Sequence, residues 1–470
     1  MYMKWSTIFV CLLLCLRARG AHGAPIRGDT WMTQLSPILG ELTLLDISLP
    51  GTHDTLSYDL SMTVADNAND LPGWASWLLH TFHSVDKFVG KFIRSNAQTQ
   101  TANVTAQLNA GARFLDLRTT YSSPPDTSIG DKDWFSLHMV ESNRKFMAYV
   151  NETVAFLRDH PGEIVALFLT RHGCGSCTGD KQYPGANNAE KQHLWSQIKS
   201  AFADASVGLI PQTTPLNTTS ISDLVRLNQR AVIYAGDWVN FSASDPLAWD
   251  ASRFLYNGFA GGNVENLVSS FNGWDKFYRN NEQQRAQLKA SNTFFLMSLA
   301  GSPPAAVTQY AAEIAVAGSV GLHPKLLLQK CAEAVNIPNL TDYCPRTLTE
   351  WERLRNFYSQ VFMDRLALDE FKSVYSPPGA IYMDMLGEQG QIKTSAPGDD
   401  VRDHVGFAYV DTLLLWNVRR ACHSGGGVPV SVFKEACMAA ETQLLEQRKV
   451  YPMTRWDDPG SGRHKDWPPL

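Results

Sequence analysis

Short runs of apolar residues alternate along the chain with longer polar stretches that have helical spacing. The runs that we interpret as strands are, in chain order, residues 44–49, 113–118, 134–138, 163–170, 231–235, 254–259, 293–299 and 379–386. Helices are predicted over residues 104–110 and 145–159, where apolar side chains recur every three or four positions. Eight parallel strands with intervening helices close naturally into a barrel. The pattern therefore predicts an α/β fold, a TIM-like (β/α)8 barrel.

The length of the chain fits one elaborated barrel, although length alone would also allow two domains. We expect residues 24–470 to form a single domain. Residues 303–376, between the seventh and eighth predicted strands, have a long helical pattern and are predicted to form a helical insertion beside the barrel mouth. Residues 390–470 are predicted to be a C-terminal extension with a helix at about residues 411–422.

Residues 1–23 have the features of an export signal. Lys4 precedes an apolar run that is too short to span a bilayer, and small residues follow it.

The six cysteines beyond this segment form three pairs that are close in sequence, Cys174 with Cys177, Cys331 with Cys344, and Cys422 with Cys437. Neighbouring pairs are expected to be disulfides in an oxidising compartment. A redox or zinc site at the first pair is the alternative, but neither has its usual sequence context.

The remaining composition agrees with a secreted, extracellular protein. Asn-x-Ser/Thr acceptors, which are candidate glycosylation sites, occur at Asn103, Asn151, Asn217, Asn240 and Asn339. The net charge of −5 is spread without a basic stripe, which argues against a nucleic-acid partner. We expect a soluble protein after signal removal, with peripheral contact to membranes as an option, and nothing implies an obligate protein partner.

Charged side chains collect at the carboxyl ends of the predicted strands, where barrels build their sites. These candidates are His53, Asp54, Asp116, Arg118, His138 and Asp384. Two histidines and an arginine suit phosphodiester cleavage, because one imidazole can take a proton from the attacking oxygen while the other protonates the leaving oxygen. A guanidinium offers fixed donors to phosphoryl oxygens. Nearby carboxylates should orient one ring and raise the pKa of the other.

Several motifs in a fixed order resemble the X-domain of phosphatidylinositol-specific phospholipase C. They are residues 49–55 (Leu-Pro-Gly-Thr-His-Asp-Thr), 107–118 (Gln-Leu-Asn-Ala-Gly-Ala-Arg-Phe-Leu-Asp-Leu-Arg), 136–138 (Ser-Leu-His), 160–165 (His-Pro-Gly-Glu-Ile-Val) and 381–384 (Ile-Tyr-Met-Asp). The resemblance covers most of the predicted barrel and is strongest from residue 40 to residue 170.

The resemblance implies a substrate and a role for each candidate. His53 would be the general base on the inositol 2-hydroxyl, His138 the general acid toward the diacylglycerol oxygen, and Arg118 would stabilise the pentacoordinate phosphate. The product would be inositol 1,2-cyclic phosphate, formed from phosphatidylinositol-type phosphodiesters at a membrane surface. Asp54 would support His138 and Asp384 would orient His53.

The resemblance also bears on metals. Calcium-dependent relatives hold carboxylates where Arg118 stands and an Asn beside the first His, whereas this chain has Asp54 there, as in the metal-independent bacterial type. No metal and no cofactor are therefore expected, and Asp116 would complete the polar cluster. Two alternatives stay open: a catalytically idle barrel that binds lipid or mediates adhesion, and a metal-dependent phosphodiesterase of the same superfold.

Four further residues are candidates for contact with the substrate or with a membrane. Arg171 and Asp237 are candidate substrate-binding residues, although Asp237 also suits a helix cap. Trp74 and Trp77 are near helical spacing and would suit a membrane interface or packing against the barrel equally well. Arg113 is expected to be a structural ion-pair partner.

Overall fold

The computed structural model describes residues 25–64, 86–125, 130–170, 186–235, 245–250, 253–257, 282–299, 310, 329–330, 379–384, 390–393, 400–403, 405–423 and 430–449. The predicted export signal and nearly all of the predicted helical insertion lie outside these ranges. The same is true of ten individually predicted residues, Trp74, Trp77, Arg171, Asp237, Cys174, Cys177, Cys331, Cys344, Asn240 and Asn339.

Strands and helices alternate through the described residues, as expected for an α/β fold. The strands are β1 Leu49–Thr52, β2 Leu60–Val64, β3 Phe114–Ser122, β4 Asp133–His138, β5 Val140–Lys145, β6 Val165–Thr170, β7 Gly208–Leu209, β8 Gln229–Tyr234, β9 Ala248–Trp249, β10 Phe254–Asn257, β11 Phe294–Ser298, β12 Ala380–Met383, β13 Gly390–Lys393 and β14 Asp400–Asp403. The helices are α1 Trp31–Leu39, α2 Asp86–Ala97, α3 Val104–Asn109, α4 Phe146–Asp159, α5 Asn188–Asp204, α6 Ile221–Arg226, α7 Glu282–Ala290, α8 Val405–His423 and α9 Val430–Lys449.

A parallel sheet forms the centre of the molecule. Its strands pair in the order β10, β11, β12, β1, β3, β6 and β8, and the short strands β7 and β9 both lie along the far edge of β8. This arrangement confirms the α/β class with parallel strands in barrel order. In the part of the chain that the structure describes, β10 is not paired with β7 or β9, so closure of the barrel stays a prediction.

The third predicted strand, at residues 134–138, is wrong as a member of the parallel barrel. It is β4, and it runs antiparallel to the outer half of β3, with Thr119 opposite Ser136. Antiparallel pairing needs only a short connection, whereas a parallel neighbour would need a crossover of a dozen or more residues. β5 and β2 continue this antiparallel extension, so the sheet is mixed and rises above the carboxyl ends of the parallel strands.

The first predicted strand, residues 44–49, is displaced toward the carboxyl end. The structure places β1 at Leu49–Thr52, so the strand runs through Pro50, where we expected it to stop. Pro50 costs the ladder one donor, but its carbonyl still accepts from the backbone N of Arg113 at 2.7 Å. All four residues of β1 are buried, and His53 follows directly.

A buried ion pair fixes the end of the sheet opposite the candidate residues. The Arg113 Nη2 to Glu163 Oε2 distance is 2.7 Å, and both side chains are fully buried. The Arg113 guanidinium also donates to the carbonyls of Leu108 and Gly28, and Glu163 accepts from the Thr33 hydroxyl. Burying two charges is stabilising only when further hydrogen bonds satisfy them, as they do here. The structural role predicted for Arg113 is therefore confirmed.

The predicted C-terminal helix is α8, which begins earlier than expected, at Val405, and packs against β1 and β12. The Tyr409 hydroxyl donates to the carbonyl of Ile381, and Asn417 bonds both backbone groups of Ser48 at 2.8 Å. A disulfide between Cys422 and Cys437 joins α8 to α9 and confirms one of the three predicted pairs.

Three predicted glycosylation acceptors lie in the described residues. Asn103 and Asn151 are exposed, whereas Asn217 is half-buried and its Nδ2 lies 3.4 Å from the carbonyl of Ala290. The Asn103 side chain also caps α3, because its Oδ1 accepts from the backbone N of Ala106 at 2.8 Å. Glycosylation of the three stays a prediction.

Candidate active site

The structure brings all six candidate residues together at the carboxyl ends of the parallel strands. His53 and Asp54 follow β1, Asp384 follows β12, and Asp116 and Arg118 lie in β3. Residues two apart in a strand share a face, so the last two side chains point to the same side. His138 ends β4, which returns to this level because it pairs antiparallel with β3.

His53 is held from both sides. Its Nδ1 lies 2.7 Å from Asp384 Oδ1, and its Nε2 lies 2.6 Å from Arg118 Nη2. A guanidinium can only donate, so Nε2 is the acceptor and the ring proton sits on Nδ1, where it donates to Asp384. His53 and Asp384 are 5% and 1% exposed, so this pair is shielded from water.

Asp54 lies between the two imidazoles. Its Oδ2 is 3.5 Å from His53 Nε2 and 3.4 Å from His138 Nε2, so one oxygen faces both rings. The backbone of Asp54 has a φ of +44°, and its N–H donates to Asp116 Oδ2 at 3.1 Å. Asp tolerates this left-handed conformation better than most residues, and the turn directs the carboxylate into the cluster.

Arg118 connects the carboxylates to His53. Its Nε pairs with Asp54 Oδ1, and its Nη2 lies 3.3 Å from Asp116 Oδ2 as well as beside His53. The Arg118 side chain is 11% exposed, so it is not completely enclosed in the core. These contacts hold the guanidinium, whose N–H groups are fixed donors, beside His53 and Asp54.

His138 is anchored by backbone. Its Nδ1 donates to the carbonyl of Ala97, the last residue of α2, and this contact fixes which nitrogen faces Asp54. Because a carbonyl can only accept, Nδ1 carries a proton and Nε2 is left to exchange one. At 15% exposure, this side chain is more open than that of His53.

The pKa values of the two histidines are shifted in opposite directions. Burial disfavours charge on His53, but the Asp54 and Asp384 carboxylates outweigh it and raise the pKa of His53. Burial lowers the pKa of His138, and there the attraction of Asp54 is too weak to reverse the effect. The two carboxylates thus favour the charged form of His53, whereas burial favours the neutral form of His138.

His53, Asp54 and Asp116 form a group that a metal ion could in principle use. One ligand atom from each lies within 4.8 Å of the others, and all three residues are buried. Arg118 contacts every member of the group. A cation bound there would have to displace or neighbour a guanidinium, which repels it.

The sequence did not point to the segment at residues 97–100. Gln100 is fully buried, and its side-chain amide donates to the carbonyls of His53 and Met383. Nothing in the polar pattern distinguishes Gln100 from Gln98 nearby, because its partners come from distant parts of the chain. The only local signal is a polar run between α2 and α3 that would be unusual in a core.

Comparison with known proteins supports the family that the motifs indicated. The PI-PLC X family model matches residues 81–177, a range that contains Asp116, Arg118 and His138. PI-PLC X domain-containing protein 1 of Mus musculus is 34% identical over 216 residues, which cover 42% of this chain and 60% of the relative. PI-PLC X domain-containing protein 3 of Danio rerio is 28% identical, with 38% of this chain and 49% of the relative covered. The chain thus spans only about half of each of these relatives.

Solved structures with a similar fold include two bacterial enzymes. Phosphatidylinositol-specific phospholipase C from Listeria monocytogenes is 16% identical, with a TM-score of 0.44, and the alignment covers 82% of this chain and 98% of that one. The corresponding S. aureus phospholipase gives 10% identity, a TM-score of 0.46, and coverage of 82% and 97%. The sequence matches confirm that the chain resembles the PI-PLC X family. None of the helices in the described ranges is long and apolar enough to cross a membrane.

Proposed function

We propose that this protein cleaves phosphatidylinositol-type phosphodiesters by acid–base catalysis without a metal. His53 takes the proton of the inositol 2-hydroxyl, and His138 gives one to the departing diacylglycerol oxygen. The new bond joins the 2-oxygen to phosphorus, and the bond from phosphorus to the diacylglycerol oxygen breaks. The products are an inositol cyclic phosphate and diacylglycerol. Arg118 binds the phosphoryl oxygens as negative charge builds on them.

One observation carries this proposal: two imidazoles face the same carboxylate oxygen, with a guanidinium beside them. Acid–base cleavage needs two proton-transfer groups on opposite sides of one phosphorus atom and a cationic donor between them. Asp384 supports the base role of His53, because a carboxylate on Nδ1 keeps the ring proton on that nitrogen and leaves Nε2 as the nitrogen that can accept a proton. The family resemblance adds the substrate class.

The roles proposed for His53 and His138 can be distinguished with a substrate whose leaving group does not need a proton. The proposed roles need a neutral His53 and a charged His138, whereas in the free protein the pKa of His53 is raised and that of His138 is lowered. A bound phosphodiester anion favours charge on both rings, so substrate binding helps His138 to hold a proton. A thiol leaves without protonation far more readily than an alcohol, because its pKa is lower. A phosphorothiolate analogue should therefore restore much of the rate of His138→Ala and little of that of His53→Ala.

The main experiment is phosphorus NMR of the products formed from phosphatidylinositol vesicles, with and without a chelator. The full chain should give a cyclic phosphate in both arms, and His53→Ala should give none. His160→Ala is a matched control, because this histidine bonds the carbonyl of Phe156 on the α4 side of the molecule, away from the candidate site. The proposal fails if the wild-type protein forms no cyclic product.

A metal-dependent reaction is the second candidate, and the spacing of His53, Asp54 and Asp116 favours it. It predicts loss of turnover in the chelator arm and recovery with calcium. Vesicle binding without cleavage in any arm would instead support the idle lipid-binding barrel.

A further inference from the structure

We propose that Gln100 is a positioning residue that holds His53 and Asp384 in register across the gap between β1 and β12. This inference rests on the proposed function. The Gln100 Nε2 donates to the carbonyl of His53 at 2.9 Å and to the carbonyl of Met383, the residue before Asp384, at 3.0 Å. One amide group thus spans the two segments that carry the base and its carboxylate.

The location explains why such a bridge is needed. The last paired residues of the two strands are Thr52 and Met383, so His53 and Asp384 lie just beyond the ladder. A final backbone bond joins His53 N to the Met383 carbonyl at 3.0 Å. Beyond that bond, ladder pairing no longer fixes the spacing of the segments that follow β1 and β12. The two N–H groups of the Gln100 side-chain amide hold these segments together instead.

Gln100 is itself held rigidly. Its backbone N donates to Ser57 Oγ at 2.9 Å, and the N of Thr99 donates to the same oxygen at 3.1 Å. The Gln100 side chain is fully buried. A buried amide with a fixed backbone and satisfied donors can hold its partners in place, because moving it would break several hydrogen bonds at once.

The same short segment also holds the second imidazole. The carbonyl of Ala97, three residues earlier, accepts from His138 Nδ1. Residues 97–100 therefore contact the backbone behind His53 and the ring of His138. Their geometry sets the distance between the two proton-transfer groups, and a shift of this segment would misplace both.

The test compares Gln100→Met with Gln107→Met. Gln107 is a matched control, since it is equally buried and its amide also bridges two backbone carbonyls, those of Thr55 and Ala102. Methionine keeps the length of the side chain and removes the donors. We expect both variants to lose a similar amount of thermal stability. Only Gln100→Met should lower kcat, by roughly tenfold with KM unchanged, since the lost hydrogen bonds orient the base.

Nitrogen-15 NMR of labelled histidine gives a readout that does not depend on activity. In the wild type, the His53 ring should be the Nδ1–H form when neutral, and Gln100→Met should mix the two tautomers and lower the pKa of His53, because Asp384 no longer faces Nδ1 squarely. Gln107→Met should titrate as wild type. The inference is wrong if folded Gln100→Met matches the control in tautomer and pKa.

Ser57→Ala covers the case in which Gln100→Met does not fold. It leaves the bridging amide in place but removes the oxygen that fixes the Gln100 backbone, so we expect the same changes at a smaller size, about threefold in kcat. A Ser57→Ala protein with unaltered His53 tautomer and rate would refute the positioning role. If the wild type shows no phospholipase activity, the proposed function fails, while the NMR comparison still tests Gln100.

Discussion

Replacing Asp384 by Asn removes the charge that supports His53 while nearly preserving the shape of the side chain. The Asp384 Oδ1 to His53 Nδ1 distance is 2.7 Å, and the carboxylate is 1% exposed, so water does not screen the contact. A hydrogen bond to a charged group contributes about 1.5–3 kcal/mol. If that energy supports the base in the transition state, kcat should fall by about 10- to 150-fold.

The pH dependence of kcat/KM separates this role from a structural one. The base must be neutral, so the rate rises as the pH increases through the pKa of His53. Asp54 and Asp384 hold that pKa up against the effect of burial. Without the Asp384 charge, the pKa of His53 should fall. The acidic limb of the kcat/KM profile should then move to lower pH, and the plateau of that profile should lie below the plateau of the wild type.

Asp46→Asn is the matched control. Asp46 is also a buried aspartate, and it pairs with Lys289 in a different part of the molecule. It should lower the melting temperature and leave the acidic limb where it is. The reasoning is refuted if Asp384→Asn folds and keeps both the limb and the plateau of the wild type.

Three further predictions concern stability. Glu163→Gln leaves the Arg113 charge buried without its partner, so it should cost about 3–5 kcal/mol in urea unfolding and leave the rate of the folded protein unchanged. Cys422→Ser opens the disulfide to Cys437, which closes a loop with a sequence separation of 15, and should lower the free energy of unfolding by about 3 kcal/mol in urea without reductant. Burial lowers the pKa of His138 below 6.5, so unfolded chains bind its proton more readily; the unfolding free energy should fall as the pH drops below 6.5, and His138→Gln should lack that part of the fall.

The sequence predicted most of the parallel strands and the residues at their carboxyl ends, because both depend on local pattern. A continuous apolar run such as β6 is typical of a strand buried on both faces, and a charged residue just beyond such a run points to the rim. Asp384 was identified as a carboxylate near the end of the predicted strand 379–386, and the structure places it beside His53.

The direction of β4 and the start of β1 could not be predicted from local pattern. A short apolar run looks the same in either direction, and only the pairing with β3 shows that β4 is antiparallel. Pro50 was interpreted as a strand end, but its neighbours supply enough ladder bonds to keep it inside β1. Gln100 was missed because one of its two carbonyl partners lies 283 residues away.

The contact between His53 and Asp384 also limits how early in protein synthesis the candidate site can form. The two residues are 331 positions apart, and a ribosome delivers the imidazole long before the carboxylate. Contacts between such distant positions form late, since a long loop must close before they stabilise anything. A nascent chain that ends before β12 therefore carries His53 without Asp384, and under the proposed function it cannot yet orient its general base.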